Sequence, residues 1–402
     1  MRTPKSWHVF ALLVACSSDS TSDVTLHPGD NVQAALIAAK TGDTITFAEG
    51  TFMFTDEQSL SVSGVTLKGA GIDKTILDFS GQASGGSGNG ISVTSGSDFI
   101  MDGFSVRDTK GDSVRVQGTK NVTIRNVKVY FTAGSTTDNP GYAIYPTTVE
   151  NVLIEHCEVH GASDAGIYVG QSKNIMVRNN LVSENVNGIE IENSTGAEVT
   201  NNTASNNVAG ILVFNLPNLP VKTGSMTVVH DNTIMANNHA QFASDPAGIA
   251  ALVPPGAGMV ILAADKTEVR NNTFTGNEST GIAIAACSTL LLLGEQNQQI
   301  CNDTGYDWYP QGTYIHDNTF TGNGADPQGI FTGFRTGSDP VPDILWDGTV
   351  DPNKPASDDD LFCVQNNGSA TFDRAIEEPT TDLSTVTCTH PAVPGVMVTW
   401  GI

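Results

Sequence analysis

The sequence predicts an all-β solenoid, in which short strands stack in successive turns of the chain. A six-residue segment recurs seven times, starting at residues 124, 154, 177, 199, 229, 269 and 315, as IRNVKV, IEHCEV, VRNNLV, VTNNTA, VHDNTI, VRNNTF and IHDNTF. The shortest intervals are 22 and 23 residues, and longer intervals indicate insertions into a stacked repeat. Apolar runs of period two, separated by Gly and Asn, indicate strands and not helices.

Composition agrees with this class and excludes some partners. The chain has 402 residues, 41 of them Gly, with only 15% charged residues and a formal net charge of -24. Frequent Gly, Asn and Thr disfavour helices and favour turns and strands. So acidic a surface repels nucleic acid and anionic lipid, and neither is an expected partner.

The N-terminus is predicted to be an export signal. Arg2 and Lys5 precede the apolar run VFALLVAC, which is too short to span a bilayer. The run ends in Leu-Val-Ala-Cys at Cys16, which resembles the bacterial lipobox. We therefore predict a signal peptide over 1–15, lipidation of Cys16, and a polar tether over 16–27. An ordinary signal peptide that contains a cysteine is the alternative. The resulting location is the cell envelope, lipid-anchored, in the outer membrane or periplasm.

The remaining cysteines fit an oxidising compartment. Cys287 and Cys301 could close one loop, and Cys363 and Cys388 another. Cys157 is left unpaired and belongs to the repeat. No CxxC motif occurs in the chain, so a metal site built from cysteines is not expected.

The fourth position of the repeated segment predicts an asparagine ladder. Its residues are Val127, Cys157, Asn180, Asn202, Asn232, Asn272 and Asn318. Val and Cys at this position indicate that it faces inward. A buried Asn is costly unless it is hydrogen bonded, and stacked Asn amides can bond one another and the turn backbone.

A second strand follows each repeated segment, as in GIYV, GIEI, GILV, GMVI and GIAI. Its second and fourth residues, such as Ile189 and Ile191, are predicted to point inward. Residues 30–52 predict a helix with Asn31 or Asp30 as N-cap, followed by a strand. This helix would cover the open end of the solenoid. The solenoid is assigned to 28–334, and 335–402 to an irregular C-terminal cap that carries two of the cysteines.

The segments SDAGIYVGQSKNIMVRNN, NVNGIEIENS and GILVFNLPNLP resemble a family of exported bacterial parallel β-helix repeat proteins, which are often lipoproteins. The resemblance covers roughly residues 28–330. It implies a right-handed parallel β-helix of the pectin-lyase-like type. That superfold includes polysaccharide lyases, glycoside hydrolases, uronate epimerases and non-enzymatic relatives, so the fold alone does not select a reaction.

The catalytic signatures of two enzyme groups are not matched. Of the Asn-Thr-Asp, Asp-Asp, Gly-His-Gly and Arg-Ile-Lys motifs of polygalacturonase-type hydrolases, only Asp-Asp occurs, within Asp358–Asp360 and off the repeat. The Asp-Pro-His-Asp stretch of the uronate epimerases is absent. These departures place both activities in doubt.

The insertions do predict a location for a site, because solenoid insertions often border the binding face. Segments 131–140, 214–224 and 236–257 flank the second strand. Outward residues of that strand are predicted to form two columns, Arg115, Ala143, Tyr168, Glu190, Leu212 and Gln117, Tyr145, Gly170, Glu192, Phe214. Leu212, Val260 and Ala283 suggest that 236–257 folds back over its part of the face.

From this face we take Glu190, Glu192 and Asp164 as candidate acid and base groups. Tyr145, Tyr168, Arg115 and His160 are candidate substrate-binding residues, and His239 could reach over from its loop. Outward strand residues are polar by default, so plain solvated positions are the alternative.

Two functions remain open from the sequence. One is a groove that binds, and in some form processes, a polysaccharide by lyase, hydrolase or epimerase chemistry. The other is a non-catalytic scaffold or interaction module for a partner protein of the envelope. The shortage of basic residues, with only Arg115 and Lys173 near the face, favours a neutral glycan or a binding role. A monomer is expected and no cofactor. The acidic stretch Asp339–Asp360 has calcium-type ligands but no matching spacing, and is better explained as a solvated tail.

Overall fold

The chain folds into a solenoid of parallel strands. The structure, a computed structural model, describes residues 23–83, 86–293, 301–354 and 357–401. Its strands form two sheets in which all pairings between strands are parallel. The long sheet has 20 strands and the short sheet has 11. A typical turn of the solenoid gives two strands to the long sheet and one to the short sheet.

The short sheet consists of β4 Gln58–Leu60, β7 Ile91–Val93, β9 Val114–Gln117, β11 Tyr142–Thr147, β14 Ala165–Gly170, β17 Asn187–Glu192, β20 Ala209–Phe214, β23 Ala257–Leu262, β26 Thr280–Ala285, β29 Ile344–Trp346 and β31 Phe372–Arg374. The long sheet consists of β1 Asp23–Leu26, β2 Thr44–Phe47, β3 Gly50–Met53, β5 Thr66–Lys68, β6 Thr75–Asp78, β8 Ser97–Arg107, β10 Lys120–Tyr130, β12 Glu150–Glu155, β13 Glu158–His160, β15 Lys173–Arg178, β16 Leu181–Ser183, β18 Thr195–Thr200, β19 Thr203–Ser205, β21 Ser225–His230, β22 Thr233–Met235, β24 Asp265–Arg270, β25 Thr273–Thr275, β27 Tyr314–His316, β28 Thr319–Thr321 and β30 Cys363–Gln365.

Helices are short and lie outside the stacked strands. Among the described residues, the α-helices are α1 Val32–Ala38 and α2 Ile249–Leu252, and the 3-10 helices are Cys287–Leu293, Gly329–Phe334, Asp358–Asp360 and Leu383–Val386. Within the described residues, no helix combines the length and the apolar character needed to cross a membrane.

The core is a set of stacked apolar columns inside the solenoid. Ile167, Ile189 and Ile211 pair in register on neighbouring strands of the short sheet, and all three are buried. Ile191 is buried in the same core, so the predicted inward positions of the second strand are confirmed. Stacking like side chains on successive turns removes apolar surface from water without changing the strand pattern.

The predicted asparagine ladder is present. Asn180 Nδ2 donates to Asn202 Oδ1 at 2.9 Å, and Asn202 Nδ2 donates to Asn232 Oδ1 at 3.0 Å. Each Oδ1 also accepts the backbone N–H of the preceding asparagine. The ladder runs on through Asn272 and Asn318 to Asn367. It begins at Cys157, which is buried, unpaired, and donates its backbone N–H to Asn180 Oδ1.

The backbone conformation of the residue before each ladder asparagine explains why the sequence has Asn-Asn or Asp-Asn at these positions. Asn179, Asn201, Asp231, Asn271 and Asp317 all have a left-handed backbone, with φ between 54° and 57°. Asn and Asp tolerate this conformation better than other residues with a Cβ. The first residue of each pair therefore makes the turn and the second forms the rung.

A second ladder was not predicted from the sequence. It consists of Asn185, Asn207, Asn237, Asn277 and Asn323, linked by the same bond from Nδ2 to Oδ1. These residues lie five positions beyond the first ladder, at the turn between the long and short sheets. Their regular offset in the sequence was the signal that could have identified them.

The N-terminal cap forms as predicted. Helix α1 begins after Asn31, whose Oδ1 accepts the backbone N–H of Ala34 at 3.0 Å. Val32 and Leu36 are buried against the first turns of the solenoid. The predicted signal peptide and Cys16 lie outside the described residues.

The structure moves both predicted boundaries of the solenoid. Strand β1 lies inside the segment assigned to the tether, and it pairs in parallel with β2. Strands β29, β30 and β31 lie inside the segment assigned to an irregular cap, and they pair with the preceding strands. Strand β30 begins a further copy of the repeated segment, Val364-Gln365-Asn366-Asn367, in which Asn366 has the left-handed backbone and Asn367 continues the ladder. Strands β29 and β31 belong to the short sheet. Disulfides join Cys287 to Cys301 and Cys363 to Cys388.

Candidate functional site

The site is built on the outer surface of the short sheet, and its first determinant is strand register. Tyr145 pairs with Arg115 on one side, while Tyr168 pairs with Glu190, and Glu190 with Leu212. This register places Tyr145 at the position that the sequence assigned to Ala143. Ala143 is instead part of the buried core.

The misplaced register has a local cause. The sequence comparison treated Gly141 as equivalent to Gly166, the glycine that opens the strand GIYV. In the structure Tyr142 pairs with Ala165, so the strand after the 131–140 insertion starts two positions later than expected. Tyr145 therefore joins the column of Arg115, Tyr168 and Glu190.

Three tyrosines stack at this place. The ring centroids of Tyr142 and Tyr145 are 4.4 Å apart, those of Tyr145 and Tyr168 4.8 Å, and those of Tyr142 and Tyr168 4.9 Å. The guanidinium of Arg115 lies 5.6 Å from the centroid of the Tyr145 ring. Tyr142 was missed by the sequence analysis because the shifted register placed it at the second, inward-facing position of the strand.

A cluster of carboxyl groups lies against the tyrosine stack. The Tyr168 hydroxyl donates to Glu192 Oε1 at 2.7 Å, and Asn187 Nδ2 donates to Glu190 Oε2 at 3.0 Å. Glu190 and Glu192 lie two residues apart on β17, and burial, followed by the charges of Asp164 and Glu192, raises the pKa of Glu190. Asp164 lies near Tyr142, and the pKa of that phenol is raised by burial and then by the charge of Asp164.

Burial sets the electrostatics of this acidic cluster, which comprises Asp164, Glu190 and Glu192. Desolvation raises the pKa of Asp164 to about 6 and the pKa of Glu192 to about 7. The pKa of Glu190 rises well above its ordinary value because of burial and then the nearby charges of Asp164 and Glu192. Like charges in a desolvated site oppose joint ionisation, so the cluster holds protons near neutral pH.

The tyrosine hydroxyls remain protonated beside this cluster. Burial, followed by the nearby carboxylates, raises the pKa of Tyr142 and of Tyr168 well above the ordinary value. Burial raises the pKa of Tyr145 to about 12. All three phenols therefore keep their hydroxyl hydrogens at neutral pH, and Tyr168 donates its own to Glu192.

The site is less open than the sequence predicted. Glu190 is 4% exposed, Glu192 7% and Tyr168 3%, although all three lie on the outer surface of the sheet. Tyr142, Tyr145 and Asp164 are half-buried and keep contact with solvent. The accessible part of the site is therefore the tyrosine pair with Asp164, and the two glutamates lie beneath it.

The sequence of this chain matches a known family over well over half its length. Residues 53–221 and 215–338 match the model of the right handed beta helix region. The chain belongs to this family. A sequence comparison with curated proteins found no match.

Solved structures share this right-handed β-helix. The A-module of mannuronan C-5 epimerase AlgE4 of Azotobacter vinelandii is similar with a TM-score of 0.54 and 17% identity, over 84% of this chain and 89% of that one. A mutant DFA-IIIase of Arthrobacter chlorophenolicus A6, in complex with DFA-III, gives a TM-score of 0.51 and 11% identity, over 95% of this chain and 100% of that one. At identities this low, the similarity shows only that the fold is shared.

The insertions of the right-handed β-helix close over the short sheet on both sides of the acidic cluster. Phe242 and Ala250 of the 236–257 segment pack against Val186 and Val208, which precede β17 and β20. On the other edge, Asn193 Nδ2 donates to the backbone oxygen of Leu216, in the 214–224 segment. These contacts explain why outward side chains of the central strands are buried.

The prediction that the 236–257 segment covers its own part of the face is also confirmed. Leu212 and Ala283 are buried in one apolar cluster with Val253 of that segment, and Val260 packs against it. A small cavity beside this cluster has an almost wholly apolar lining that includes Phe214, Leu262, Phe331 and Phe334. The apolar part of the face lies next to Glu192, whose strand partner is Phe214.

Some predicted site residues are not brought to the acidic cluster. His160 ends β13 in the long sheet, where its Nδ1 lies 2.8 Å from Ser183 Oγ. Its pKa is lowered by burial and then by the charge of Lys128, with no contribution from the acidic cluster. The ring of His239 packs edge-on against Phe242, with centroids 5.1 Å apart. Neither histidine therefore completes the site.

Basic side chains near the site are neutralised or distant. Arg115 Nη1 forms an ion pair with Asp112 Oδ2 at 3.0 Å, and its Nη2 donates to Gln117 Oε1. Lys173 begins β15 in the long sheet and does not belong to the face of the short sheet. The polar face consequently carries an excess of acidic groups.

The acidic stretch Asp339–Asp360 has structural contacts of its own. Asp347 is buried and accepts hydrogen bonds from the backbone of Ala286 and from the Thr289 hydroxyl. Asp351 lies near Lys354. Across the described ranges of the chain, no group of three or more His, Cys, Asp or Glu side chains has an arrangement suited to a metal ion.

Proposed function

We propose that this protein binds a neutral glycan on the outer surface of its short sheet and hydrolyses it there. The observation that carries the proposal is the acidic cluster, whose members have raised pKa values and lie directly against three stacked tyrosines. A carboxyl group that is protonated near neutral pH can act as a general acid. Exposed aromatic rings provide surfaces on which sugars stack.

Asp164 is the candidate general acid, because it is the member of the acidic cluster that reaches solvent. Its pKa of about 6 lies close to neutral pH, where an acid–base group works best. Glu190 is a positioning residue in this proposal, since its carboxyl is buried beneath the tyrosines and is held by Asn187 Nδ2. Tyr142 lies beside the Asp164 carboxyl and partly offsets the rise in the pKa of Asp164 that burial causes.

The charge of the face favours a neutral glycan over a uronate polymer. A chain of uronates brings one carboxylate per sugar, which requires a cation or a free basic side chain beside it. Arg115 is held by Asp112, and the acidic cluster would repel such a chain. Neutral sugars avoid this cost and can accept hydrogen bonds from the protonated phenols.

The similar solved structures support a carbohydrate ligand in general terms. One is a mannuronan C-5 epimerase module and the other is a DFA-IIIase. Both share the right-handed β-helix over most of their length, and the outer surface of such a stack is a straight groove suited to a polymer. The reaction assigned here rests on the acidic cluster and not on these similarities.

A non-catalytic binding module is the second candidate. The burial of Glu190 and Glu192 favours it, because a general base must reach the group whose proton it removes. In that case the acidic cluster only supports the tyrosine stack, and the half-buried Tyr142 and Tyr145 bind a glycan or an envelope protein without turnover.

A depolymerisation screen separates the two candidates. The soluble protein should begin at Ser17, because a start after residue 24 would remove half of β1. Neutral polysaccharides are tested for binding and for release of reducing ends, with Glu190→Gln beside the matched control Glu150→Gln on the exposed start of β12. Turnover that is lost only in Glu190→Gln, with binding retained, supports the hydrolase. Binding without turnover in the wild type supports the module, and absence of both would refute the site.

We further propose that the protein is exported and anchored by a lipid on Cys16. The segment Leu-Val-Ala-Cys after a short apolar run motivates this, and two disulfides are compatible with an oxidising compartment.

A further inference from the structure

The last residues of the chain lie across the stacked strands of the long sheet. His390 approaches Tyr314 on β27, with ring centroids 6.0 Å apart. Val393 donates its backbone N–H to Glu268 on β24, and Val396 donates to Glu198 on β18. The tail, residues 390–401, therefore runs along the solenoid axis, in the direction opposite to the order of the strands in the sequence.

The surface under the tail is one column of paired residues. In strand order it reads Thr123, Leu153, Met176, Glu198, Val228, Glu268 and Tyr314. Trp400 is buried against Leu153 and Met176, with Val396 and Val398 packed on the same cluster. Without the tail, this apolar and acidic stripe would face solvent.

Two glutamates of the stripe, Glu198 and Glu268, make the same pair of contacts. Glu198 accepts the Val396 N–H through Oε2 at 2.7 Å, while its Oε1 lies 3.1 Å from His230 Nε2. Glu268 accepts the Val393 N–H through Oε2 at 2.6 Å, while its Oε1 lies 3.1 Å from His316 Nε2. Each carboxylate is thus held in place by a histidine and directed at a backbone donor of the tail.

The distance between these two glutamates matches the length of three residues of an extended chain. Glu198 and Glu268 lie two strands apart, with Val228 between them, which corresponds to about 9.5 Å. Three residues of polyproline II helix advance about 9.3 Å. The tail reads Pro-Ala-Val-Pro-Gly-Val from Pro391, and Pro restricts itself and the residue before it to such extended conformations. Val393 and Val396, three residues apart, therefore each meet a carboxylate.

The far end of the stripe selects a glycine. Arg125 Nη1 donates to the backbone oxygen of Gly401 at 3.3 Å. Gly401 has φ of +67°, and a Cβ there would overlap the Thr123 hydroxyl. A side chain at this position is excluded on both conformational and steric grounds.

We propose that this stripe is a peptide-binding site, whose ligand is an extended, proline-containing segment that contains Trp-Gly. Its occupant is the tail of the same chain, and the stripe accepts the tail of a second copy when its own is displaced. The inference is independent of the glycan site, because it involves the long sheet and none of the residues of the acidic cluster.

The test cuts the tail after the full chain has folded. A protease recognition sequence is inserted after Thr389, an exposed residue that follows the Cys363–Cys388 disulfide. After cleavage and dialysis, a labelled peptide of residues 390–402 is titrated by fluorescence anisotropy. We expect it to bind at least tenfold more tightly than a scrambled peptide or the Gly401→Ala peptide. Equal binding of the three, absence of binding at millimolar peptide, or unfolding of the body would overturn the proposal.

Hydrogen exchange in the uncut protein provides a second measurement. We expect Glu268→Gln to speed exchange of the Val393 amide at least tenfold, and Glu198→Gln to do so at Val396. Glu158→Gln is the matched control, because Glu158 lies on β13 and pairs with Lys128. Unchanged exchange at both valines, or equal changes in the control, would show that the carboxylates do not recognise the tail.

Discussion

The hydroxyl of Tyr168 donates a hydrogen bond of 2.7 Å to Glu192 Oε1, and both side chains are buried on the outer surface of the short sheet. Burial, followed by the charge of Glu192, keeps this phenol protonated, and burial also raises the pKa of Glu192 to about 7. The pair therefore belongs to an acidic cluster that keeps its protons at low pH. When the cluster ionises at higher pH, the buried charges lower the stability of the folded state.

Glu192→Gln should stabilise the protein above neutral pH. The folded state raises the pKa of Glu192 from 4.5 to about 7, so its contribution is fully present below about pH 4.5 and is lost as the pH rises towards 7. The loss amounts to about 3 kcal/mol for a shift of this size. Gln stays neutral and avoids it. Denaturant unfolding at pH 5 and pH 8 measures the effect, with Glu150→Gln as control. Parallel pH curves for wild type and Glu192→Gln would contradict it.

Asp164→Asn should abolish turnover of a glycan and leave its binding intact. The pKa of Asp164 is about 6, so a general acid at this position loses its proton, and the rate falls, as the pH rises above 6. Asn supplies no proton, and loss of a general acid typically costs about 10²- to 10⁴-fold in rate. Measurements of kcat and KM from pH 5 to 8 test this. A wild-type rate that increases steadily through pH 6 would assign Asp164 another role.

Tyr145→Ala should weaken glycan binding, while Tyr168→Phe should not. Tyr145 is half-buried and stacks on both Tyr142 and Tyr168, so its removal takes away an accessible ring. An aromatic contact contributes about 0.5 to 1.5 kcal/mol, which corresponds to about two- to tenfold in affinity. Tyr168 is buried, and Phe keeps its ring. Calorimetric titration of both variants decides the matter, and equal losses would move the binding surface elsewhere.

Asn202→Leu should destabilise the solenoid strongly. Asn202 Oδ1 accepts from the backbone and side chain of Asn180, and its Nδ2 donates to Val177 and Asn232. Each buried polar group left without a partner costs about 1 to 3 kcal/mol. The melting temperature should therefore fall clearly, whereas Asn353→Leu at an exposed turn should leave it nearly unchanged. Equal melting temperatures would mean that the ladder contributes no stability.

Cys16→Ser should release the protein from membranes or leave its precursor uncut. The thiol is the group that a lipobox cysteine contributes to lipidation, and Ser cannot replace it. Membrane fractionation and the apparent mass of the product measure the outcome. A variant that is processed and fractionates like the wild type would favour the ordinary signal peptide.

The sequence alone determined the architecture because similar residues recur at the same position of each copy of the repeat. Val127 and Cys157 share a position with Asn180 and Asn202, and that coincidence identified both the inward face and the ladder. The capping helix was equally local, since Asn31 bonds a backbone group only three residues away.

Only the tertiary structure decided which residues reach the solvent and which meet. The register of Tyr145 depended on how the 131–140 insertion rejoins the sheet, and the burial of Glu190 and Glu192 on where distant insertions pack. The contact of Val396 with Glu198 joins residues 198 positions apart, and no local pattern announces it. A strand's inward positions follow from its own alternation, whereas the covering of its outer face depends on chain segments whose sequence carries no record of where they pack.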